Sequence, residues 1–204
     1  GLLDRTVKSA SDIEALGVPV LGFLPFASAN TSKSAKKARR RRGRAGEIVA
    51  DIRPELYVHE HPRSVLAECC RTIRTNLAFM SATEELRTLV VTSAGPAEGK
   101  TTTSLSIAIA IAQGGARTII VDTDLRRPRL HKVLDVPPDR GVTSILIGEA
   151  KLEDCVYETV VPGLFVLPCG PIPPNPSELL HTPQFAKLVA DLREQFQRVI
   201  FDSP

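Results

Sequence analysis

A chain of 204 residues with 43% hydrophobic content but only 4% aromatic residues and no Trp holds one sizeable core of Val, Ile, Leu and Ala, the usual filling of a parallel α/β sheet. No apolar run approaches the roughly 18 residues of a membrane span and no signal-peptide pattern follows Gly1, so neither a spanning helix nor a leader is expected and the N-terminus reads as a cut end. The net charge of +3 hides an asymmetry: eight cations and no acid lie between Lys33 and Arg44, and without them 18 basic residues face 23 acidic ones, a net of −5.

Residues 1–26 predict a short helix capped near Ser11, then an apolar strand-like stretch from Val18 to Leu24. From Ala27 to Gly46 the composition turns to Ser, Ala, Lys and Arg with no apolar periodicity, which makes 27–58 a basic flexible linker ahead of a domain over 59–204. No aromatic residue is interleaved between Lys33 and Arg44 for base stacking, so nucleic acid is not the expected partner. An anionic membrane surface is favoured over a merely solvated linker, at about 1 kcal/mol per Lys or Arg near the leaflet. His59 and His61 have no third ligand in view and predict a surface turn before Pro62 rather than a metal site.

Arg63 to Met80 is a predicted amphipathic helix, its apolar stripe made of Leu66, Cys69, Cys70, Ile73, Leu77 and Met80. Glu68, Arg71 and Arg74 fall three apart on the flank of that stripe, and on spacing alone they form a solvated face with an ion pair worth a few tenths of a kcal/mol. The four cysteines, Cys69, Cys70, Cys155 and Cys169, lack C-x-x-C spacing and read as reduced, mostly buried thiols of a cytosolic protein.

The apolar run Thr88 to Thr92 predicts a strand leading into Ser93-Ala94-Gly95-Pro96-Ala97-Glu98-Gly99-Lys100-Thr101-Thr102, and the small-residue run Ser104 to Gln113 predicts a helix leading out. Strand, tight loop and helix are the context a phosphate-binding loop requires: backbone N–H groups and the helix N-terminus face the phosphates, a Lys reaches the outer ones, and a hydroxyl binds Mg²⁺. Gly99, Lys100 and Thr101 stand where those roles need them, although Ala94 replaces the usual first Gly.

Gly114 and Gly115 stop the helix, and Arg117 to Asp122 reads as a buried parallel strand. Asp122 and Asp124 alternate to the same side at its carboxyl end, where open α/β sheets bind ligands and where Mg²⁺ would relieve their repulsion. Gly141 to Gly148 and Leu152 to Glu158 predict helices, and Gly163 to Pro168 a third strand. A Pro-rich loop, Pro171 to Glu178, precedes a helical pair, the second helix opening at Thr182 or Pro183 and running to about Gln197. Arg198 to Asp202 is a fourth strand, again ending in a carboxylate suited to a water-mediated Mg²⁺ ligand. A four-stranded sheet whose last strand ends the chain lacks a covering helix, which suggests C-terminal truncation.

Over about residues 60–204 the sequence resembles the bacterial tyrosine kinases of capsular and exopolysaccharide synthesis, a branch of the P-loop NTPases. Ser93 to Thr101 is similar to their Walker A loop, Ile119 to Arg126 to Walker A′, Val199 to Asp202 to Walker B, and Glu68-Cys-Cys-Arg71-Thr-Ile-Arg74 to the E-x-x-R-x-x-R element that holds subunits in a ring. Asn175 to Leu180 also resembles the family. The resemblance implies an α/β P-loop NTPase-like, mostly parallel sheet flanked by helices, and an ATP- and Mg²⁺-dependent protein-tyrosine autokinase acting on a neighbouring subunit. It implies that Gly95, Pro96, Ala97, Glu98, Gly99, Lys100, Thr101 and Thr102 hold ATP, that Thr101, Asp122, Asp124 and Asp202 serve the metal, and that Lys100, Asp122 and Arg126 act in transfer. Glu68, Arg71 and Arg74 would then be an oligomer interface rather than a solvated face. The implied partners are a second copy, a polysaccharide co-polymerase and a cognate tyrosine phosphatase, and the implied place is the cytoplasmic face of the inner membrane. The family's C-terminal tyrosine cluster has no counterpart here, where the tyrosines are Tyr57 and Tyr157. Two rivals share the fold or the loop. Partitioning, septum-positioning or iron–sulfur scaffold ATPases carry a Lys where this chain has Gly95, and the iron–sulfur class also calls for paired cysteines. The other rival is a non-catalytic module whose assembly responds to nucleotide.

Overall fold

The computed structural model describes residues 9–25, 53–80, 86–95 and 98–204. The elements in chain order begin with α1 (Ala10–Glu14), a 3₁₀ turn (Pro54–Leu56), α2 (Tyr57–Glu60), α3 (Val65–Met80), β1 (Thr88–Val91), α4 (Lys100–Gln113) and β2 (Thr118–Asp122). They continue with α5 (Leu130–Leu134), α6 (Val142–Leu146), a second 3₁₀ turn (Leu152–Asp154), β3 (Tyr157–Glu158), β4 (Leu164–Leu167), α7 (Pro176–Leu179), α8 (Pro183–Gln195) and β5 (Arg198–Asp202).

The strands form one sheet in the order β1-β5-β2-β4-β3, parallel except for β3, which runs antiparallel to β4. Among the described residues the sheet therefore has five strands, not four. The extra one comes from Tyr157-Glu158, inside the stretch expected to be helical: Leu152–Asp154 makes only a 3₁₀ turn, after which the chain extends and pairs with Val166 and Phe165. The last strand does not end the sheet. It lies between β1 and β2, so it is covered on both edges by neighbours.

Alternation along the strands divides the core into two layers. Ile120, Val166 and Ile200 face α3 and α4, whereas Ile119, Val121, Val199 and Phe201 face α6 and α8. Helix α4 is buried continuously from Ser104 to Ala112, because α3 covers the side that the sheet does not. Its Ala108, Ala110 and Ala112 keep both neighbours close. In α3 the buried stripe is Ala67, Cys70 and Ile73, while Met80, expected inside, is 51% exposed. Leu56 and Val58, which composition assigns to the linker, are buried in the same layer.

Three shorter readings change. Helix α1 is capped by Ser9 instead of Ser11, in a capping box with Asp12. Val18 to Leu24 forms no strand; Leu21 and Leu24 pack on the core and Asn76 donates to the Leu21 carbonyl at 2.7 Å. His59 is the third residue of α2 and His61 follows that helix, its ring 4.4 Å from the Tyr57 ring centroid. Lys33 to Arg44 lie outside the described residues.

Candidate phosphate and metal site

Parallel register sets the frame of the site. Val91, Asp202 and Asp122 are Cα partners at the carboxyl ends of β1, β5 and β2, so the loop leaving β1 rises beside two carboxylates from the adjacent strands. Gly99 closes that loop at φ 85°, a left-handed conformation that a side chain would strain, and α4 starts at once with Lys100. The Lys100 ammonium donates to Ser93 Oγ at 3.1 Å and to the Gly95 carbonyl at 3.2 Å, while the Glu98 carboxylate accepts from the Gly95 N–H at 3.1 Å. Pro96 and Ala97 lie outside the described residues. Thr102 is half-buried in the first turn of α4.

Asp202 is 2% exposed. Ser104 Oγ lies 2.8 Å from both Asp202 Oδ1 and the Lys100 carbonyl, its single proton between two acceptors. Burial pushes the Asp202 carboxyl up, and the bonds from Thr101 and Ser104 oppose it.

Asp122 is fully buried, and its Oδ2 accepts from the Arg129 and Leu130 N–H groups, both at 3.0 Å. Its Oδ1 is buried with no partner among the described residues. Burial chiefly, with the negative charges of Asp202 and Asp124 adding to it, pushes this carboxyl up to about 7 against the opposing backbone bonds. A buried carboxylate oxygen without a donor is costly unless a cation or a proton meets it.

These residues fit Mg²⁺, which takes one or two carboxylates and completes its shell with phosphate oxygens and water rather than with an all-protein cage. In keeping with that, no three His, Cys, Asp or Glu side chains gather as a cage among the described residues. Asp124 is half-buried, and its Oδ1 accepts from the Arg126 and Arg127 N–H groups at 3.3 and 2.9 Å, which fixes the turn after β2. Arg126 points across to the Pro-rich loop and donates to Ser177 Oγ at 2.9 Å.

On α3 the three interface candidates separate. Glu68 and Arg71 form a two-bond ion pair, and Arg71 also donates to the Pro62 carbonyl at 2.9 Å. The hydrogen bonds from Arg71 hold the Glu68 carboxyl below its ordinary value. Arg74 turns inward and donates to the Ala110 carbonyl of α4 at 2.9 Å.

Sequence reasoning passed over Ser104 and the Arg129–Leu130 backbone. Ser104 was readable as the polar residue one turn after Lys100, where the buried part of α4 begins, a signal that Ser106 shares in part. The two N–H groups carry no side-chain signal.

No protein-family model matches the chain. Tyrosine-protein kinase YwqD of Bacillus subtilis is 38% identical over 143 residues, 70% of this chain, and the chain spans 60% of that relative's length. Two solved structures match over more of it. The chimerical protein CapA2B2 has a TM-score of 0.77 at 34% identity, covering 96% of this chain and 75% of its own. The kinase domain of Escherichia coli tyrosine kinase ETK has a TM-score of 0.80 at 30% identity, covering 98% and 74%. The septum site-determining protein MinD of Pyrococcus horikoshii, solved with Mg-ADP, is more distant, with a TM-score of 0.51 at 26% identity over 58% of this chain.

Proposed function

The chain belongs to the bacterial P-loop tyrosine-kinase family, and from that premise we propose that it transfers the γ-phosphate of ATP to tyrosines of a neighbouring copy. The observation that carries the proposal is Asp122: a buried carboxylate with one oxygen that meets no donor among the described residues, Cα-paired with Asp202 beside the Lys100 loop. In this reading the amides from Gly95 to Thr102 cradle the phosphates and Lys100 exchanges Ser93 and the Gly95 carbonyl for the outer phosphate oxygens. Thr101 and Asp122 hold Mg²⁺, with Asp124 and Asp202 on its waters, and Arg126 supports the geometry of transfer. When bound, Mg²⁺ supplies charge neutralisation on the phosphates. With Oδ2 fixed by the Arg129 and Leu130 amides, Oδ1 is the oxygen that Asp122 would offer either to the metal or, as a base, to the tyrosine proton.

The same reading places the protein on the cytoplasmic face of the inner membrane, with Lys33 to Arg44 against anionic lipid, a ring formed through the Glu68 to Arg74 face, a polysaccharide co-polymerase beside it and a phosphatase reversing it. No helix among the described residues is long and apolar enough to cross a membrane. Two features favour tyrosine transfer over the septum-positioning alternative: Gly95 replaces the Lys of that class, and ETK matches far more of the chain than MinD does.

Calorimetric titration with ATP and Mg²⁺ tests the site. Binding is expected in the unaltered chain and loss of at least about tenfold in affinity in Lys100→Ala, one charge-assisted contact set being removed. Equal affinity in both would refute the assignment.

A further inference from the structure

Beside Asp122 lies a basic cleft of which phosphoryl transfer uses only Arg126. Arg126, Arg127, Arg129, His131 and Lys132 fall within seven consecutive positions that contain no carboxylate. With Pro171 and Ile172 they line an open cleft of about 550 Å³ to which no acidic residue among the described ones contributes. The cleft begins at the reacting end of the sheet, since the N–H groups of Arg129 and Leu130 are the ones that hold Asp122 Oδ2.

Two of its cations are already engaged. Arg129 pairs with Glu55 at 3.3 Å and Arg126 bonds Ser177. Arg127 and Lys132 are exposed, and neither is paired with a carboxylate among the described residues. In the same cleft Ile172 is 62% exposed. Concentrated like charge in a concave surface repels itself and focuses a field that attracts anions. An apolar wall beside it suits a peptide better than a free ion.

We propose that this cleft docks the segment carrying the acceptor tyrosine and selects segments with anionic side chains next to that tyrosine; the inference rests on the tyrosine-kinase reading above. A tyrosine reaching Asp122 lays its neighbours across Arg127 and Lys132, because each extended residue spans only about 3.3–3.6 Å. A flat lipid surface could not enter the same concavity.

The test uses fluorescence anisotropy with two labelled peptides that differ only in having Glu or Gln around a single Tyr. The chain is expected to bind the Glu peptide about tenfold more tightly, two partly exposed ion pairs being at stake, with the difference shrinking as salt rises. Arg127→Ala/Lys132→Ala should bind the two peptides equally. Lys151→Ala/Lys187→Ala, which removes two charges elsewhere, should keep the preference. Arg127→Glu/Lys132→Glu should prefer a Lys-substituted peptide, a gain that a folding defect cannot produce.

Equal binding of both peptides by the unaltered chain, or an unchanged preference in Arg127→Ala/Lys132→Ala, overturns the proposal. So does equal weakening toward phosphatidylglycerol vesicles without peptide discrimination, which would make the cleft a general polyanion surface. Phosphate transfer from ATP is measured separately. Discrimination without transfer refutes the kinase reading and leaves the cleft standing, whereas transfer without discrimination does the reverse.

Discussion

Asp122 concentrates the chemistry of the molecule in one side chain. Its carboxyl rises from an ordinary 3.8 to about 7, mainly because burial disfavours the charged form. Between those values the folded chain holds a proton that the unfolded chain has lost. The stability this contributes is therefore complete below about pH 4 and gone once the pH has passed through about 7. Asp122→Asn has no charge to bury, so urea unfolding without nucleotide should find it more stable at pH 8 by the order of a few kcal/mol, with most of the slope between pH 4 and 7 removed and the rest left to Asp202. The same variant should lose phosphate transfer. An unchanged slope would show that the carboxylate is solvated. That Asp122 stands at the site end of the sheet was legible in the sequence from a carboxylate at the end of an apolar strand. That one oxygen is held by two backbone amides seven and eight residues downstream was not, since backbone donors leave no trace in residue type.

Among the elements, α3 and α4 are coupled in a way the residue pattern conceals. Spacing put Glu68, Arg71 and Arg74 on one flank of α3, and that much is geometry any helix obeys. The side chains then part, because Arg74 is long enough to reach the last turn of α4 and meet the Ala110 carbonyl, where a cation is favoured. Arg74→Ala should lower the unfolding free energy of the dilute chain by about 1–2 kcal/mol, as loss of a charged hydrogen bond to a carbonyl does. Arg71→Ala, whose exposed pair with Glu68 contributes little, should cost less than about 0.5 kcal/mol and act on subunit assembly alone. Denaturation curves and sedimentation separate the two, and equal destabilisation by both variants would contradict the division. The sheet elements were readable in the same partial way. The buried runs at Thr118–Asp122 and Arg198–Asp202 announced themselves, but β3, with two residues, is defined only by its pairing with β4.

At the scale of the whole molecule, the last strand described is the one the sheet needs first. Among the described residues β1 pairs only with β5, and β5 also pairs with β2, so the loop from β1 and the carboxylates of β2 and β5 come together only when residues 88–91 meet residues 198–202. Ile200, fully buried at the centre of β5, should therefore be sensitive: Ile200→Ala is expected to cost about 2–5 kcal/mol by chemical denaturation, and less than about 1 kcal/mol would mean that β5 is peripheral. The parallel class of the sheet followed from the apolar strands and the phosphate loop. The strand order did not, because which edge β5 joins is set by tertiary packing and not by its own residues. The central claim is that this assembled site moves phosphate onto tyrosine. The most direct measurement incubates the chain with γ-labelled ATP, Mg²⁺ and the Glu-flanked tyrosine peptide and identifies the labelled amino acid. The account predicts phosphotyrosine, absent with Lys100→Ala; label recovered only as free phosphate or on serine would contradict it.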